Sequence, residues 1–226
     1  MSIADKFEII ADEVFKKGKQ TEYDRFWDSY QNYGKSTSYI NSFAGTNWND
    51  EVFKPKYPIV TNVAPNRTNS MFVYSVISQI MVPLYFYDTT SVSTFANAGK
   101  LVKIGDDTGG GIWTTRNRTW STNFSTCPNL KEIRFIDYNE KGEYVPSEIG
   151  NSIGFKDSPL LSVESQINII KHLVDFSGTS DAGTRILTIH PTAFESLNVT
   201  YSTPEEVGIP FFGSWLSYIN SIGWDM

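Results

Sequence analysis

The sequence is poor in the residues that build most catalytic and metal sites. Its 226 residues include one cysteine, Cys127, and two histidines, His172 and His190. A single cysteine excludes an intramolecular disulfide framework. Neither histidine lies at a spacing typical of zinc ligands, and no second ligand cluster accompanies them. We therefore expect no metal site, no cofactor and no catalytic residues, with both histidines serving as helix or turn residues.

Basic residues and long hydrophobic runs are also scarce. The chain has 19 Lys and Arg against 25 Asp and Glu, a net charge of -6. This balance disfavours a nucleic-acid partner, because phosphate binding requires cationic side chains. The longest apolar stretch, residues 80–87, is too short to cross a bilayer, and the first residues lack the apolar core of a signal peptide. The sequence predicts a soluble chain without membrane insertion.

Aromatic residues make up 15% of the chain and hydrophobic residues 40%. This composition is sufficient for a folded core. Residues 1–32 predict an N-terminal helix, because apolar residues recur there at spacings of four, three and four. These residues are Ile3, Phe7, Ile10 and Val14. The spacing fits either an amphipathic helix lying on its own domain or a short coiled coil between protomers, for oligomerisation or attachment. Residues 33–70 predict an aromatic-rich capping segment of short strands and loops.

The middle of the chain, residues 71–161, contains a degenerate repeat. Four pairs of residues share one offset of 29, namely Phe95 and Phe124, Ala98 and Cys127, Leu101 and Leu130, and Ile104 and Ile133. Poorer copies begin at Phe72 and at Phe155. Apolar or small residues at every third position fit neither a helix nor a strand for long, whereas they fit a solenoid coil that feeds a short strand. In this template Cys127 is a buried small residue.

The last third, residues 162–226, predicts a helix–strand–helix cap. Ser162 is a suitable N-cap, and Gly178 is expected to end the helix that follows. Residues 185–189 alternate as a strand, and residues 214–222 form a last amphipathic helix. The predicted fold is α+β, with an N-terminal helix, a short irregular leucine-rich-repeat-like solenoid sheet and a helical C-terminal cap.

The motif Phe-x-x-Cys-x-x-Leu-x-x-Ile-x-Phe at residues 124–135 resembles the BspA-like leucine-rich repeats of bacterial surface proteins. With the Ile-Ala-Asp-Lys helix start, the Phe-Lys-Pro-Lys-Tyr segment at 53–57 and the closing Ser-Ile-Gly-Trp, the chain is similar to small proteins encoded by tailed phages and prophages of gut bacteria. The resemblance implies a non-enzymatic virion or tail-associated structural protein. Its partners would be other virion proteins or a host-surface protein or glycan. The alternatives are a bacterial surface adhesin and a glycan-degrading enzyme.

Two tryptophans mark the candidate contact surface. The residues concerned are Trp113, Arg116, Asn117, Arg118 and Trp120. Tryptophan and arginine are frequent anchors of interfaces, so an exposed insertion of this composition could bind a partner or a glycan. The alternative is that the rings pack on the repeat beneath them. The neighbouring Asp106–Gly111 segment lacks the ending of a phosphate loop and the acidic spacing of a calcium loop, and predicts a turn.

Overall fold

In the part of the chain that the computed structural model describes, eight short strands precede the first helix, and helices and strands are interspersed after it. That part comprises residues 39, 42–45, 51–55, 58–61, 64–106, 108–120 and 122–226. The strands are β1 (Val52–Phe53), β2 (Ile59–Val60), β3 (Gln79–Ile80), β4 (Pro83–Phe86), β5 (Lys103–Ile104), β6 (Gly111–Thr114), β7 (Glu132–Ile133), β8 (Ile153–Phe155), β9 (Arg185–Ile189) and β10 (Trp224–Asp225). The helices are α1 (Val163–Lys171), α2 (Pro191–Thr200) and α3 (Trp215–Ser221), with a 3₁₀ turn at Pro204–Val207.

The strands form three parallel sheets. The first has the order β1-β3-β5-β7, the second β2-β4-β6 and the third β10-β9-β8. The chain crosses the first sheet, then the second, and returns to the first one coil later. Ile80, Ile104 and Ile133 therefore lie side by side on adjacent strands of the first sheet. We call each such circuit a coil.

The predicted α+β class is wrong, because the fold is α/β. Every pairing between the strands named above is parallel. Parallel neighbours need a long crossover connection, and a whole coil supplies it here. The helices also alternate with strands in the order β8-α1-β9-α2-α3-β10. The last third therefore contributes a parallel sheet of its own in addition to helices.

The predicted N-terminal helix has no support from the structure. Residues 1–38 lie outside the described residues, and with them the whole 1–32 segment and the seam of Ile3, Phe7, Ile10 and Val14. Part of the 33–70 segment lies outside as well. The oligomerisation expected from the seam stays a prediction.

A ladder of phenylalanine rings runs through the coils and forms the centre of the core. Its members are Phe43, Phe72, Phe95, Phe124 and Phe155. Successive ring centroids lie 5.3, 5.4, 5.1 and 4.7 Å apart, with the rings close to parallel. All five side chains are buried. The two segments that the sequence aligns at an offset of 29 lie on neighbouring coils.

Small residues occupy the tight corner beside this ladder. Ala98, Cys127 and Ser158 are fully buried. The Cys127 thiol lies 3.1 Å from the Phe95 carbonyl oxygen, and the Ser158 hydroxyl donates to the Cys127 carbonyl oxygen at 3.0 Å. Burial raises the pKa of Cys127 to about 12. A protonated, enclosed thiol of this kind is a structural residue, as the repeat template predicted.

Three of the coils turn a corner through two residues in the left-handed region. They lie two positions before and two positions after a ladder phenylalanine, and they are Ser70, Tyr74, Ser93, Asn97, Thr122 and Thr126. Their φ values lie between 53° and 60°. Left-handed backbone is unusual for residues other than glycine, most of all for the β-branched threonines. The stacking of the coils imposes this conformation in the same place three times.

The elements of the last third follow the sequence pattern closely, with one correction. Ser162 caps α1 by accepting a hydrogen bond from the Ser165 amide at 3.2 Å. The helix ends at Lys171 and not near Gly178, because Leu173 pairs with Ile149 in a parallel bridge and draws the chain into extended structure. The strand expected at 185–189 is present as β9, and the last helix is present as α3.

Candidate functional site: a groove beside the sheet edge

Two adjoining cavities lie where α1 meets the edge of the first sheet. The first, of about 520 Å³, is bordered by β5, β7 and the start of α1. The second, of about 630 Å³, is bordered by β4, by the turn at 108–110 and by residues 134–138. Arg134 and Asn168 line both cavities. The two cavities are therefore neighbours, and we call them together the edge groove.

The sheet edge beside the edge groove is closed by side chains of α1. The Ser165 hydroxyl accepts a hydrogen bond from the Ile133 amide at 3.0 Å. The Asn168 side chain accepts from the Phe135 amide at 2.6 Å and donates to the Phe135 carbonyl at 3.1 Å. Asn168 thus pairs with Phe135 as the backbone of another strand would. Exposed strand edges invite unwanted pairing, and this helix removes the edge from contact.

Removing the Asn168 amide tests this closure. Asn168→Ala should lower the free energy of unfolding by about 1–3 kcal/mol, because the buried N–H and C=O groups of Phe135 would lose their partners. Chemical denaturation of both proteins measures the difference. The matched control is Asn198→Ala on α2, whose exposed side chain bonds only within its own helix, and alanine there should cost nothing. Equal effects at the two sites would contradict the proposed closure.

Two tyrosines, Tyr85 and Tyr138, line the second cavity of the edge groove. Tyr85 alternates with the buried Leu84 and Phe86 along β4, so its ring faces outward. Tyr138 is 54% exposed and meets the ring of Tyr144 edge-on at a centroid distance of 5.5 Å. Burial and the nearby Glu140 carboxylate raise the pKa of Tyr85. Tyr85 is therefore a neutral phenol at physiological pH.

The two cations along the edge groove each have a protein oxygen as partner. Lys103 forms an ion pair with Glu132 on the adjacent strand. The Arg134 guanidinium donates to the Asp106 carbonyl oxygen at 2.9 Å. These contacts leave a surface that is polar but has no concentration of positive charge.

Residues 108–110, within the segment that the sequence predicts as a turn, do form a turn that borders the edge groove. The Asp106 carboxylate accepts from the amides of Thr108 and Gly110 at 2.9 and 2.8 Å. Burial opposes ionisation, but these hydrogen bonds hold the pKa of Asp106 below its usual range. The carboxylate is thus committed to closing the turn.

Three of the five predicted contact residues do not form a surface. Trp113 is 5% exposed, because residues 137–145 fold over it and Val145 accepts a hydrogen bond from its indole at 2.7 Å. Trp120 packs within the core between Phe124 and Phe135. Arg118 is fully buried. The predicted contact surface is therefore wrong in its centre, and the rings pack on the coils as the alternative stated.

The other two predicted contact residues are exposed. They are Arg116 and Asn117, at the tip of the turn between β6 and the next coil. The Arg116 guanidinium lies 4.9 Å from the centroid of the Phe176 ring. Neither residue lines the edge groove.

Arg118 forms a buried ion pair with Asp88, and both side chains have zero exposure. Asp88 also accepts hydrogen bonds from the hydroxyls of Thr61 at 3.2 Å and Thr68 at 2.9 Å. Arg118 donates to Thr68 at 2.8 Å and to Thr94 at 3.2 Å. Burial lowers the pKa of Arg118 to about 10, and the Asp88 charge opposes this shift. The network joins three coils and has a structural role.

The two histidines have local structural partners. His172 Nε2 lies 3.0 Å from an Asp137 carboxylate oxygen, and Nδ1 lies 2.6 Å from the Asn168 carbonyl oxygen. His190 is the N-cap of α2 and accepts a hydrogen bond from the Thr192 amide at 3.2 Å. His172 therefore ties α1 to the segment that borders the edge groove.

Within the described part of the chain, no group of three or more His, Cys, Asp or Glu residues is arranged to hold a metal ion. No helix in the same ranges is both long enough and apolar enough to cross a membrane.

Comparisons with family models, with curated proteins and with solved structures give no match to this chain. The resemblance to BspA-like repeats and to phage-encoded proteins therefore stays a prediction from the motifs quoted above. The edge groove itself was not predicted from the sequence. Its signal was the alternation of Pro83, Leu84, Tyr85 and Phe86, which places a tyrosine outward on a short strand.

Proposed function

We propose that this protein is a non-enzymatic component of a phage virion or tail that binds a partner on the host surface through the edge groove. The observation that carries the binding role is the combination of two adjoining cavities with the tyrosine rings that line one of them. Ligand sites are usually concave and largely preformed, and they combine aromatic surface with a few polar groups. The edge groove has these properties.

The architecture also supports binding over catalysis. The polar side chains nearest the edge groove already have structural partners: Asn168 closes the sheet edge, Asp106 closes a turn and Lys103 pairs with Glu132. A general acid or base must be within reach of a substrate proton. Groups engaged in this way serve better to shape a surface. The virion location is supported by the resemblance of the motifs alone.

Filling the edge groove tests the binding role. Glu164 lines the groove and is exposed on the first turn of α1. Glu164→Trp should reduce binding of the labelled full-length protein to host cells by about tenfold or more, because a bulky ring would occupy the ligand space. Titration of labelled protein onto cells of the encoding bacterium, read by flow cytometry, measures this effect.

The matched control is Glu195→Trp, the same change at an exposed position of α2 outside the groove. It should leave cell binding unchanged. Cell binding that is equal for the two variants, or absent in the unmodified protein, would contradict the proposed role of the edge groove.

A further inference from the structure

The edge groove cannot bind a peptide as an added strand. Strand addition needs free backbone N–H and C=O groups along a sheet edge. Beside the groove, α1 satisfies the Ile133 N–H through Ser165 and both backbone groups of Phe135 through Asn168. A ligand in the groove must therefore be recognised by side chains and not by the backbone groups of the sheet edge.

The charges of the edge groove also disfavour a polyanion. Its two cations, Lys103 and Arg134, each have a protein oxygen as partner. Three carboxylates, those of Asp106, Glu132 and Glu164, line the first cavity with them. The whole chain has a net charge of -6. Binding of sulfated, phosphorylated or uronic-acid chains requires a surplus of positive charge that this surface does not offer.

With strand addition and binding of a polyanion disfavoured, the tyrosine rings are the remaining contact surface of the edge groove. Tyr85 and Tyr138 line the second cavity together with Asn168, Asp137 and Arg134. One face of a pyranose ring carries mainly C–H groups and packs against an aromatic ring, while its hydroxyls need donors and acceptors at the margin. An aromatic ring has the apolar body for this contact, and the tyrosine hydroxyl adds a polar end. A tyrosine side chain has few rotatable bonds, so little conformational entropy is lost when it is ordered by the ligand.

We infer that the edge groove binds a neutral oligosaccharide, with Tyr138 and Tyr85 as the stacking surface and Asp137 and Arg134 as the polar margin. This inference rests on the proposed function and names the ligand class of the same groove. The ligand is a chain of uncharged sugars, as found in bacterial surface polysaccharides, lying across both cavities of the edge groove. The ring of Tyr144 contacts that of Tyr138 edge-on.

The test uses the full-length protein on arrays of immobilised neutral oligosaccharides, acidic oligosaccharides and peptides of matched length. The unmodified chain should bind members of the neutral set. Tyr138→Ala should weaken that binding by about tenfold, the usual loss for a central aromatic anchor. Tyr138→Phe keeps the ring and should retain most of the binding. Tyr74→Ala removes a tyrosine that is 68% exposed outside the groove and should change nothing.

Each other outcome overturns the inference. Binding confined to acidic sugars or to peptides, lost in Tyr138→Ala, would reject the ligand class but leave the edge groove as a binding site. Neutral-sugar binding that is unchanged in Tyr138→Ala would reject the stacking surface. Absence of binding to all three arrays would reject a glycan ligand, while the cell-binding test with Glu164→Trp would still decide separately whether the groove functions.

Discussion

Replacing Arg118 by methionine is expected to lower the free energy of unfolding by about 3–5 kcal/mol, the usual cost of breaking a buried ion pair. The loss arises because Asp88 would be left at zero exposure without its ionic partner. Arg118 also lies over two aromatic rings, 4.2 Å from the Phe86 centroid and 4.7 Å from the Trp120 centroid. Its removal would therefore disturb the core as well as the charge balance.

Denaturant titration of single and double variants measures this effect. Arg116→Met, in the same turn but exposed, should cost less than about 1 kcal/mol, the range of an exposed cation–ring contact. The double variant Arg118→Met/Asp88→Leu should lose much less than the sum of its single changes, because it leaves no unpaired charge. Strict additivity of the two changes, or equal costs at 116 and 118, would disprove the coupling.

Phe124→Ala is expected to cost about 3–5 kcal/mol, as for other large-to-small changes in packed cores. Phe124 contacts the ladder rings of the coils before and after it, at 5.1 and 4.7 Å, and the indole of Trp120. Truncation would leave a cavity between coils, which the repeated backbone cannot close without shifting every later coil.

The control for the ladder is Phe212→Ala. Phe212 is 79% exposed, so its truncation should change stability by no more than about 0.5 kcal/mol. Thermal or denaturant unfolding of the two variants gives the comparison. If Phe124→Ala were as stable as Phe212→Ala, the ladder would not be the centre of the core.

The repeat could be predicted because its residues face the core at every coil. Phe95 and Phe124 stack directly, and Ile104 and Ile133 are register partners, so a single offset of 29 appears in the sequence. Strand β9 and helix α3 could be predicted for a similar reason, since each has one buried face and a clear period. These are local or repeated patterns, which a single sequence records well.

The second sheet could not be predicted in the same way. Its strands β4 and β6 begin with Pro83 and Gly111, residues that normally argue against a strand. The left-handed corners were also missed, because Thr122 and Thr126 are residue types that rarely adopt this conformation. At both places the stacking of coils overrides the local preference.

The sequence placed the contact surface wrongly, because the exposure of a side chain depends on segments that are far from it along the chain. Trp113 lies in a polar stretch of sequence but is covered by residues that follow it by more than twenty positions, ending at Val145. The edge groove, in turn, combines β4 with α1, so no local motif describes it. Aromatic residues that line a groove and aromatic residues that fill a core look alike until the coils are stacked.

Mass spectrometry of phage particles purified from a culture of the encoding bacterium tests the central claim most directly. If the protein is a virion component, as proposed, its peptides should be present in the particles at a constant copy number relative to the major capsid protein through successive purification steps. Absence of the chain from pure particles, with the protein present in the cell envelope or cytoplasm of the same culture, would contradict the proposed virion function.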